Sequence, residues 1–374
     1  MIKFDVHAAL VLILCSALMA LQLEKCNIEV EKKITACLIN KNVVFNSTEN
    51  YVSVYGINER AALDKNDDLP KVQAGKKLIL DNLVLFADFG DFQHDNITFN
   101  NIYGVPLTST LVYCTSDTAC EVQIIDSRFK GDFGFSTALF FCSSMNTKIG
   151  VYRSTFESFK EFSSIFYISN EDNIQLTFIN NVFKGNELNE GIINTFKSGF
   201  SRSLHRKATV IFEKNEVRSN VIVKNFFLFN IEADITNLRV VNNTFTSNTA
   251  VSIWTVFGGN EISVANNKFS YNSATFGMAF IGETVGISNE TYINNRFHYY
   301  YYFNGNKNAS ISNSKYEFRS TYNFKKCPFI DFTVSPNVRL NNVRLLFDDV
   351  KAKRLVAKSC KGNNNENKLI FGLK

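Results

Sequence analysis

The stretches LTFINNVF (residues 176–183), LRVVNNTF (238–245) and ISVANNKF (262–269) share one pattern: apolar, any, apolar, any, any, Asn, any, Phe. Related copies recur through most of the chain, and their last fixed positions form a column of Phe129, Phe156, Phe183, Val217, Phe245, Phe269 and Phe297. Successive members of this column are 24 to 34 residues apart. Periods of 20 to 50 residues are typical of stacked repeats, so this pattern decides the fold.

A second run of strand-forming residues follows each copy, as in 165–168 (IFYI) and 226–229 (FFLF). Asn, Gly and Ser separate the runs, and these residues favour corners. The composition agrees, because the chain has 36 Phe and 14 Tyr but only 4 Pro. We therefore predict an all-β chain with at least two short strands in each coil.

Parallel stacking of these coils would align equivalent residues in columns at the strand spacing of about 4.8 Å, so that about nine or ten coils form a rod roughly 45 Å long. Inward Phe side chains would then form a continuous core. An inward Ser or Asn near each corner would exchange hydrogen bonds with its equivalents in neighbouring coils. The predicted ladder comprises Ser127, Ser154, Asn181, Asn215, Asn243, Asn267 and Asn295.

Through these coils the chain resembles the right-handed parallel β-helix proteins (pectin-lyase-like fold) over roughly residues 76–350. Leucine-rich repeats share the Asn column, but they place a helix or loose turn where this chain has β-branched and aromatic runs. The predicted organisation is a signal peptide over 1–20, an N-terminal cap over 21–76, a parallel β-helix over 77–350, and a C-terminal cap and tail over 351–374.

The N-terminus predicts export. Lys3 precedes an apolar run over 8–14, and small residues follow at Ala17 and Ala20, as in a secretory signal peptide. No later segment approaches the roughly 18 apolar residues of a membrane span. The net charge of +5 is spread thinly over 374 residues, which argues against nucleic acid as a partner. We predict a secreted protein without a membrane span.

Sequons and cysteines agree with an extracellular location. Predicted glycosylation sites are Asn46, Asn96, Asn242, Asn289 and Asn308. Seven cysteines remain after cleavage, so one is either free or paired between chains. The favoured disulfides are Cys26 with Cys37 in the N-terminal cap, and Cys327 with Cys360 near the other end. No Cys/His spacing fits zinc, and we expect neither a metal nor a cofactor.

For polysaccharide lyases and hydrolases, the resemblance implies a cluster of Asp, Lys, Arg or His on one exposed sheet. The outward positions predicted for the repeat sheet hold no carboxylate pair of the kind that glycoside hydrolysis needs; they are Gln123, Gly150, Thr177, Ile211, Arg239, Ser263 and Ile293. Asp88, Asp91, His94 and Asp95 would suit calcium or acid–base chemistry, although a solvated loop is the favoured interpretation. No catalytic residue is predicted.

The second runs are apolar at both alternating positions, as in 299–303 (YYYYF). Either another segment covers their outer face, the loop 187–207 or the N-terminal cap, or that face binds a ligand. Trp254, Tyr300 and Tyr302 are the ligand-facing candidates, because such rings pack on sugars and on proteins. Arg202, Arg206 and Lys207 form a basic patch that would suit an anionic glycan, although a solvated loop is the favoured interpretation of so short a charge cluster.

These observations predict a non-catalytic extracellular module that recognises a carbohydrate or protein surface. A polysaccharide lyase or glycoside hydrolase of the same fold is the alternative. A self-assembling structural protein is a third possibility, favoured if an uncapped end is adhesive or the odd cysteine links two chains.

Overall fold

The structure is a computed structural model, and it describes residues 37–40, 43–47, 51–56, 60–63, 76–86, 92–134, 136–169, 172–196, 206–224, 227–305, 308–318, 330–331, 338–360 and 369–374. These residues form a parallel β-solenoid of about 10 turns. The predicted all-β class, the stacked coils and their number are confirmed. The signal-peptide region 1–20 lies outside the described residues.

Each coil contributes strands to three parallel sheets. Sheet 1 contains β5 (Lys77–Asp81), β7 (Asn96–Asn100), β14 (Asn173–Ile179), β18 (Lys207–Glu213), β22 (Ile235–Val241), β29 (Asn308–Ser312) and β32 (Val338–Asn341). Sheet 2 contains β13 (Ser164–Ile168), β17 (Gly191–Thr195), β21 (Phe227–Ile231), β28 (Arg296–Asn304) and β31 (Ile330–Asp331). Four long strands run from sheet 2 into sheet 1: β9 (Val112–Ile125), β11 (Ala138–Tyr152), β24 (Ser252–Ala265) and β26 (Ser273–Ser288).

Sheet 3 closes each coil with short strands. These are β4 (Ala61–Leu63), β6 (Leu83–Leu85), β8 (Tyr103–Leu107), β10 (Arg128–Gly131), β12 (Thr155–Glu157), β15 (Val182–Lys184), β19 (Glu216–Arg218), β23 (Thr244–Thr246), β25 (Lys268–Ser270), β27 (Thr291–Ile293), β30 (Lys315–Phe318), β33 (Val343–Phe347) and β34 (Leu369–Leu373). A further pair, β16 (Glu187–Leu188) and β20 (Val221–Ile222), lies at the corner between sheets 3 and 2.

Left-handed residues make the corners between sheets 1 and 3. Asn180, Asn242 and Asn266 have φ angles of 57°, 59° and 57°, a region in which Asn is tolerated better than most residues. The residue after each corner is a buried ladder residue. The two Asn residues of the sequence pattern therefore have different roles. The first adopts the left-handed conformation that bends the chain, and the second forms hydrogen bonds to the neighbouring coils.

The ladder inside this corner connects successive coils by hydrogen bonds. Its members are Ser127, Ser154, Asn181, Asn215, Asn243 and Asn267, followed by Glu290 and Ser314. Asn243 is representative: its Oδ1 accepts from the Asn215 backbone N at 2.8 Å, and its Nδ2 donates to the Phe212 carbonyl at 2.8 Å. The ladder therefore satisfies main-chain groups that the corners would leave unpaired.

Asn295 does not belong to this ladder, so that assignment was wrong. It accepts from the Asn272 backbone N at 2.9 Å and ends a second ladder, formed by Asn186, Asn220, Asn248, Asn272 and Asn295. Glu290 occupies the predicted place of Asn295, because β27 pairs Tyr292 rather than Phe297 with Phe269. The outward position assigned to Ile293 correspondingly belongs to Gly286, which pairs with Ser263.

The Phe column forms a stack of aromatic rings along the inside of sheet 3. Phe129 stacks on Phe156 with ring centroids 5.4 Å apart, and Phe245 stacks on Phe269 at 4.6 Å. Tyr292 continues the stack at 4.5 Å from Phe269. Such pairs add to the stabilisation that burial of their apolar surface provides.

Regular structure continues at both ends of the coils. At the N-terminal end, β1 (Cys37–Asn40), β2 (Val43–Ser47) and β3 (Tyr51–Gly56) form an antiparallel meander, and β3 then pairs in parallel with β5. Coil stacking therefore begins before residue 77. At the C-terminal end, helix α1 (Val350–Cys360) precedes β34, which adds to sheet 3 in parallel with β33.

The described cysteines include a pair that the sequence did not single out. Cys114 and Cys120, both within β9, form a disulfide. Cys142 is buried in β11 with a free thiol, and burial raises its pKa to about 12. The favoured pairs cannot be compared with this arrangement, because Cys26, Cys327 and the side chains of Cys37 and Cys360 lie outside the described residues.

Candidate recognition surface

The strands of sheet 2 explain why their residues are apolar at both alternating positions. Two consecutive residues point into the core where each strand leaves the corner with sheet 3: Leu139 and Phe140 are both fully buried, as are Ile165 and Phe166. The third residue, Phe141 or Tyr167, faces outward and is half-buried. A strand that begins at a bend can thus bury two neighbours, and a simple alternation of inward and outward residues fails there.

Trp254 and Tyr300 are therefore not ligand-facing, contrary to prediction. Trp254 is fully buried and stacks on Phe229 with centroids 4.4 Å apart. Tyr300 is 1% exposed and packs edge-on against Tyr292. They occupy the two inward columns of sheet 2. Tyr302 lies in an outward column of sheet 2, where it pairs in register with Ala279, and is half-buried.

Three rings form an outer aromatic stack on sheet 2. Tyr113 stacks on Phe141 with centroids 4.7 Å apart and planes 11° apart, and Phe141 stacks on Tyr167 at 5.6 Å and 7°. Tyr113 is 41% exposed. Both faces of the Phe141 ring are covered by neighbours, so the stack presents ring edges and two phenolic tips outward.

The same outer column changes character in the middle of the molecule. Tyr167 pairs in register with Asn194, and the next coil adds Asn230, whose Nδ2 donates to Asn194 Oδ1 at 3.0 Å. The following residues, Thr255 and Ala279, are only 3% and 6% exposed. The outer face of sheet 2 is therefore divided into two separate accessible parts.

The second accessible part is an aromatic corner of Phe276, Tyr299 and Tyr302, all half-buried. Phe276 lies 5.1 Å from Tyr302 with the rings tilted by 47°, and 6.1 Å from Tyr299. The rings of Phe276 and Tyr302 are therefore not parallel, unlike those of the outer aromatic stack. This corner contains the one ligand-facing candidate, Tyr302, that the structure places outside the core.

An open groove lies beside the aromatic corner, where sheet 3 turns into sheet 2. Its lining consists of Thr249, Ala250, Ser273, Ala274, Thr275, Arg296 and His298. Thr275 directly precedes Phe276, and His298 directly precedes Tyr299. Sequence reasoning missed this groove because its residues come from three coils and show no motif.

The basic patch is not assembled as predicted. Arg202 lies outside the described residues, and Arg206 is fully buried, with its backbone N donating to Asp234 at 2.9 Å. Burial lowers the pKa of Arg206 to about 10, although the nearby Glu232 and Asp234 oppose this shift. Of the two described members of the patch, Lys207 is exposed and Arg206 is not. Three cations close in sequence thus do not share one surface.

Two carboxylates on sheet 1 form ion pairs. Glu121 lies 3.0 Å from Lys148, and Glu213 lies 3.6 Å from Arg239. Burial alone would raise the pKa of Glu121, but hydrogen bonds from Lys148 and Gln123 lower it overall. A glycosidase acid needs the opposite shift.

The acidic group near the N-terminal coils is only partly described. Asp88 and Asp91 lie outside the described residues, and burial lowers the pKa of His94 against the opposing charge of Asp95. Within the described ranges, no three His, Cys, Asp or Glu side chains converge as a metal site would require.

The sequons lie in different environments. Asn242, Asn289 and Asn308 are exposed, and the first two occupy left-handed corners with φ angles of 59° and 55°. Asn96 is half-buried, and its side-chain oxygen is enclosed without a hydrogen-bond partner. The side chain of Asn46 lies outside the described residues.

The part of the chain that the structure describes contains no helix with the length and apolarity to cross a membrane. Comparisons with protein-family models, with curated proteins and with solved structures find no match to this chain.

Proposed function

We propose that the chain is a secreted, glycosylated recognition module of the right-handed parallel β-helix (pectin-lyase-like) superfamily that binds extracellular carbohydrate without cleaving it. The observation that carries the proposal is the aromatic corner beside a groove with three hydroxyl-bearing side chains. Tyrosine offers a flat apolar body and a polar tip, which suits the apolar faces and hydroxyl groups of sugars. A rigid solenoid holds these groups in place, so little ordering would accompany binding.

Binding without cleavage is part of the proposal. Glu121 and Glu213, two carboxylates described above on sheet 1, each form an ion pair. Burial would raise the pKa of Glu121, but hydrogen bonds from Lys148 and Gln123 lower it overall. Glycoside hydrolysis needs one carboxylic acid that keeps its proton and a second carboxylate about 5–9.5 Å away. The alternative, a lyase or hydrolase, would have to use groups outside these two ion pairs.

A glycan array probed with the secreted protein tests this function, together with a reducing-sugar release assay on every glycan that is bound. Tyr302→Ala should weaken glycan binding about tenfold, because stacked aromatic contacts contribute roughly 1–1.5 kcal/mol. Tyr113→Ala is the matched control, since it removes an exposed Tyr from the other accessible part of sheet 2. Release of reducing ends would show that the protein is an enzyme rather than a binding module. Equal losses of binding in both variants would show that the aromatic corner is not the glycan-binding site.

Contact with a protein is a second candidate, favoured specifically by the outer aromatic stack. Both faces of its central ring, Phe141, are covered, so Tyr113, Phe141 and Tyr167 together present a row of ring edges. Exposed aromatic residues of this kind are enriched in protein interfaces. Adhesion of the secreted protein to an immobilised protein matrix should then fall in Tyr113→Ala and persist in Tyr302→Ala, the reverse of the order expected for glycans.

A further inference from the structure

The groove beside the aromatic corner has a distinctive chemistry. Arg296 and His298 are two residues apart on β28, and both side chains are exposed. Thr249, Ser273 and Arg296 occupy equivalent positions in three successive coils, because Thr249 pairs with Ser273 and Ser273 pairs with Arg296. The spacing of parallel strands therefore places the backbones of these three residues in one row, with neighbours about 4.8 Å apart. Their side chains, two with hydroxyls and one with a guanidinium, line the same groove.

None of the described residues that line the groove is acidic. Two other exposed arginines are neutralised by carboxylates: Arg153 pairs with Asp126 at 2.6 Å, and Arg218 with Glu216 at 2.9 Å. Arg296 makes no such pair with any described residue. Its five N–H donors remain available to a partner from solution.

The donors in the groove match an anion with several oxygens. A guanidinium binds oxyanions through two parallel hydrogen bonds, and the hydroxyls of Thr249, Ser273 and Thr275 can donate further hydrogen bonds. The adjoining rings of Phe276 and Tyr299 provide an apolar surface next to these donors. A small free anion would use the row of donors alone, whereas an anionic group attached to a sugar would use both features.

We infer that this groove binds a sulfate ester group of the carbohydrate while the sugar ring packs on the aromatic corner. This inference rests on the proposed carbohydrate-binding function and names the class of ligand for that site. A sulfate ester presents three oxygens to the groove, and its charge is independent of pH in the physiological range. With an anion site in this groove, binding of an anionic glycan would not require the predicted basic patch on loop 187–207.

Three polymers with one backbone test the inference: dextran, dextran sulfate and carboxymethyl-dextran. Binding of the secreted protein to each immobilised polymer should be strongest for dextran sulfate and should weaken as salt is raised. Arg296→Ala should weaken dextran sulfate binding about tenfold, the loss expected for a charge-assisted hydrogen-bond pair. Arg344→Ala, which removes the same charge from an exposed position on sheet 3, should leave it nearly unchanged.

Four outcomes would overturn the inference: no preference for dextran sulfate over dextran, tighter binding of carboxymethyl-dextran than of dextran sulfate, unchanged dextran sulfate binding in Arg296→Ala, or equal losses in Arg296→Ala and Arg344→Ala. The last would show a diffuse effect of net charge. The glycan array separates these failures from failure of the proposed function. If neutral glycans bind and depend on Tyr302 while dextran sulfate is ignored, the sulfate site is wrong and the carbohydrate function stands.

Discussion

Two stretches of the same solenoid close their corners with different chemistry. In the coils of Asn181, Asn215, Asn243 and Asn267, the ladder residue is an amide and the sheet 3 core is mostly Phe. In the coils of Glu290 and Ser314, the ladder contains an acid, and the core beside it is Tyr292, Tyr301 and Tyr316. The backbone path is preserved, since Tyr292 pairs with Phe269 in register.

The difference shows what the corner requires of its buried side chain. An Asn both accepts from the preceding coil and donates to a carbonyl, as Asn267 does to Val240 at 2.9 Å. Glu290 accepts from the Asn267 backbone N and Nδ2, both at 3.0 Å, but it can donate only when protonated. Burial raises the pKa of Glu290 to about 8, against the opposing effect of the hydrogen bonds from Asn267. At neutral pH the acid therefore keeps its proton and replaces the amide as an acceptor through Oε1, whereas its Oε2 is buried without a hydrogen-bond partner.

The largest expected effect comes from breaking the amide ladder. Asn243→Leu leaves the Asn215 backbone N and one N–H of its Nδ2 without an acceptor and removes a donor from the Phe212 carbonyl. The other N–H of Asn215 Nδ2 still donates to the Phe178 carbonyl at 2.9 Å. At about 2 kcal/mol for each of these three buried groups, we expect a loss of about 6 kcal/mol in the free energy of unfolding, measured by urea denaturation. The same substitution at the exposed Asn260 should change stability by less than about 0.5 kcal/mol. Similar losses of unfolding free energy at the two positions would show that the hydrogen bonds of the ladder do not stabilise the fold more than a surface side chain does.

The next effect sharpens the contrast between acid and amide. Because burial raises the pKa of Glu290 to about 8 from 4.5, its contribution to stability is complete below pH 4.5 and is lost as pH rises to about 8. The slope is about 1.4 kcal/mol per pH unit, which amounts to on the order of 4–5 kcal/mol across this window. Glu290→Gln should remove that dependence, so that the variant is more stable than the wild type at pH 9 and the difference shrinks towards pH 5.

Melting temperatures measured from pH 5 to pH 9 check this expectation. The pKa values of Tyr292, Tyr301 and Tyr316 are raised by burial to well above 10, so these phenols stay neutral over the range. Asn215→Gln, a change in the same ladder at a residue that does not contact Glu290, should keep the pH dependence. Identical pH profiles for the wild type and Glu290→Gln would contradict the assignment of a proton to this acid.

The smallest effect concerns the corners that the two stretches share. Asn242 and Asn289 are exposed left-handed residues, one directly before Asn243 and the other directly before Glu290. Protein secreted from a eukaryotic host should carry a glycan on each, and Asn242→Gln or Asn289→Gln should each remove one glycan mass by mass spectrometry. The cost in stability should be about 1 kcal/mol in both, because Gln tolerates a positive φ less well than Asn. A glycan on neither residue would count against export through a glycosylating pathway.

Much of the fold could be predicted from the sequence, because each coil repeats one short pattern of apolar and corner residues. The pattern failed at Glu290, since a protonated acid replaces Asn and no local signal distinguishes it from a surface glutamate. Asn295 and Phe297 lie five positions after Glu290 and Tyr292 and match the motif. The sequence therefore predicted a register for this coil that is five residues too late.

The candidate site was harder to predict because it depends on which neighbours face inward. Trp254 and Tyr300 looked suitable for a ligand by composition, but both fall in the two columns that the bend into sheet 2 turns towards the core. The sequence did not predict Arg296 and His298 as site residues, because the groove they line is completed by Thr249 and Ser273 from preceding coils. Contacts between residues some 23 to 25 positions apart leave no trace in a local pattern.

The sequence by itself determined that this chain winds into stacked parallel coils, since alternating apolar residues and Asn corners act locally and repeat in every turn. Only the tertiary structure decided which rings lie inside, which acid replaces an amide, and which side chains meet in a groove. These outcomes depend on the register between coils of unequal length, and hydrogen bonds across the whole stack set that register.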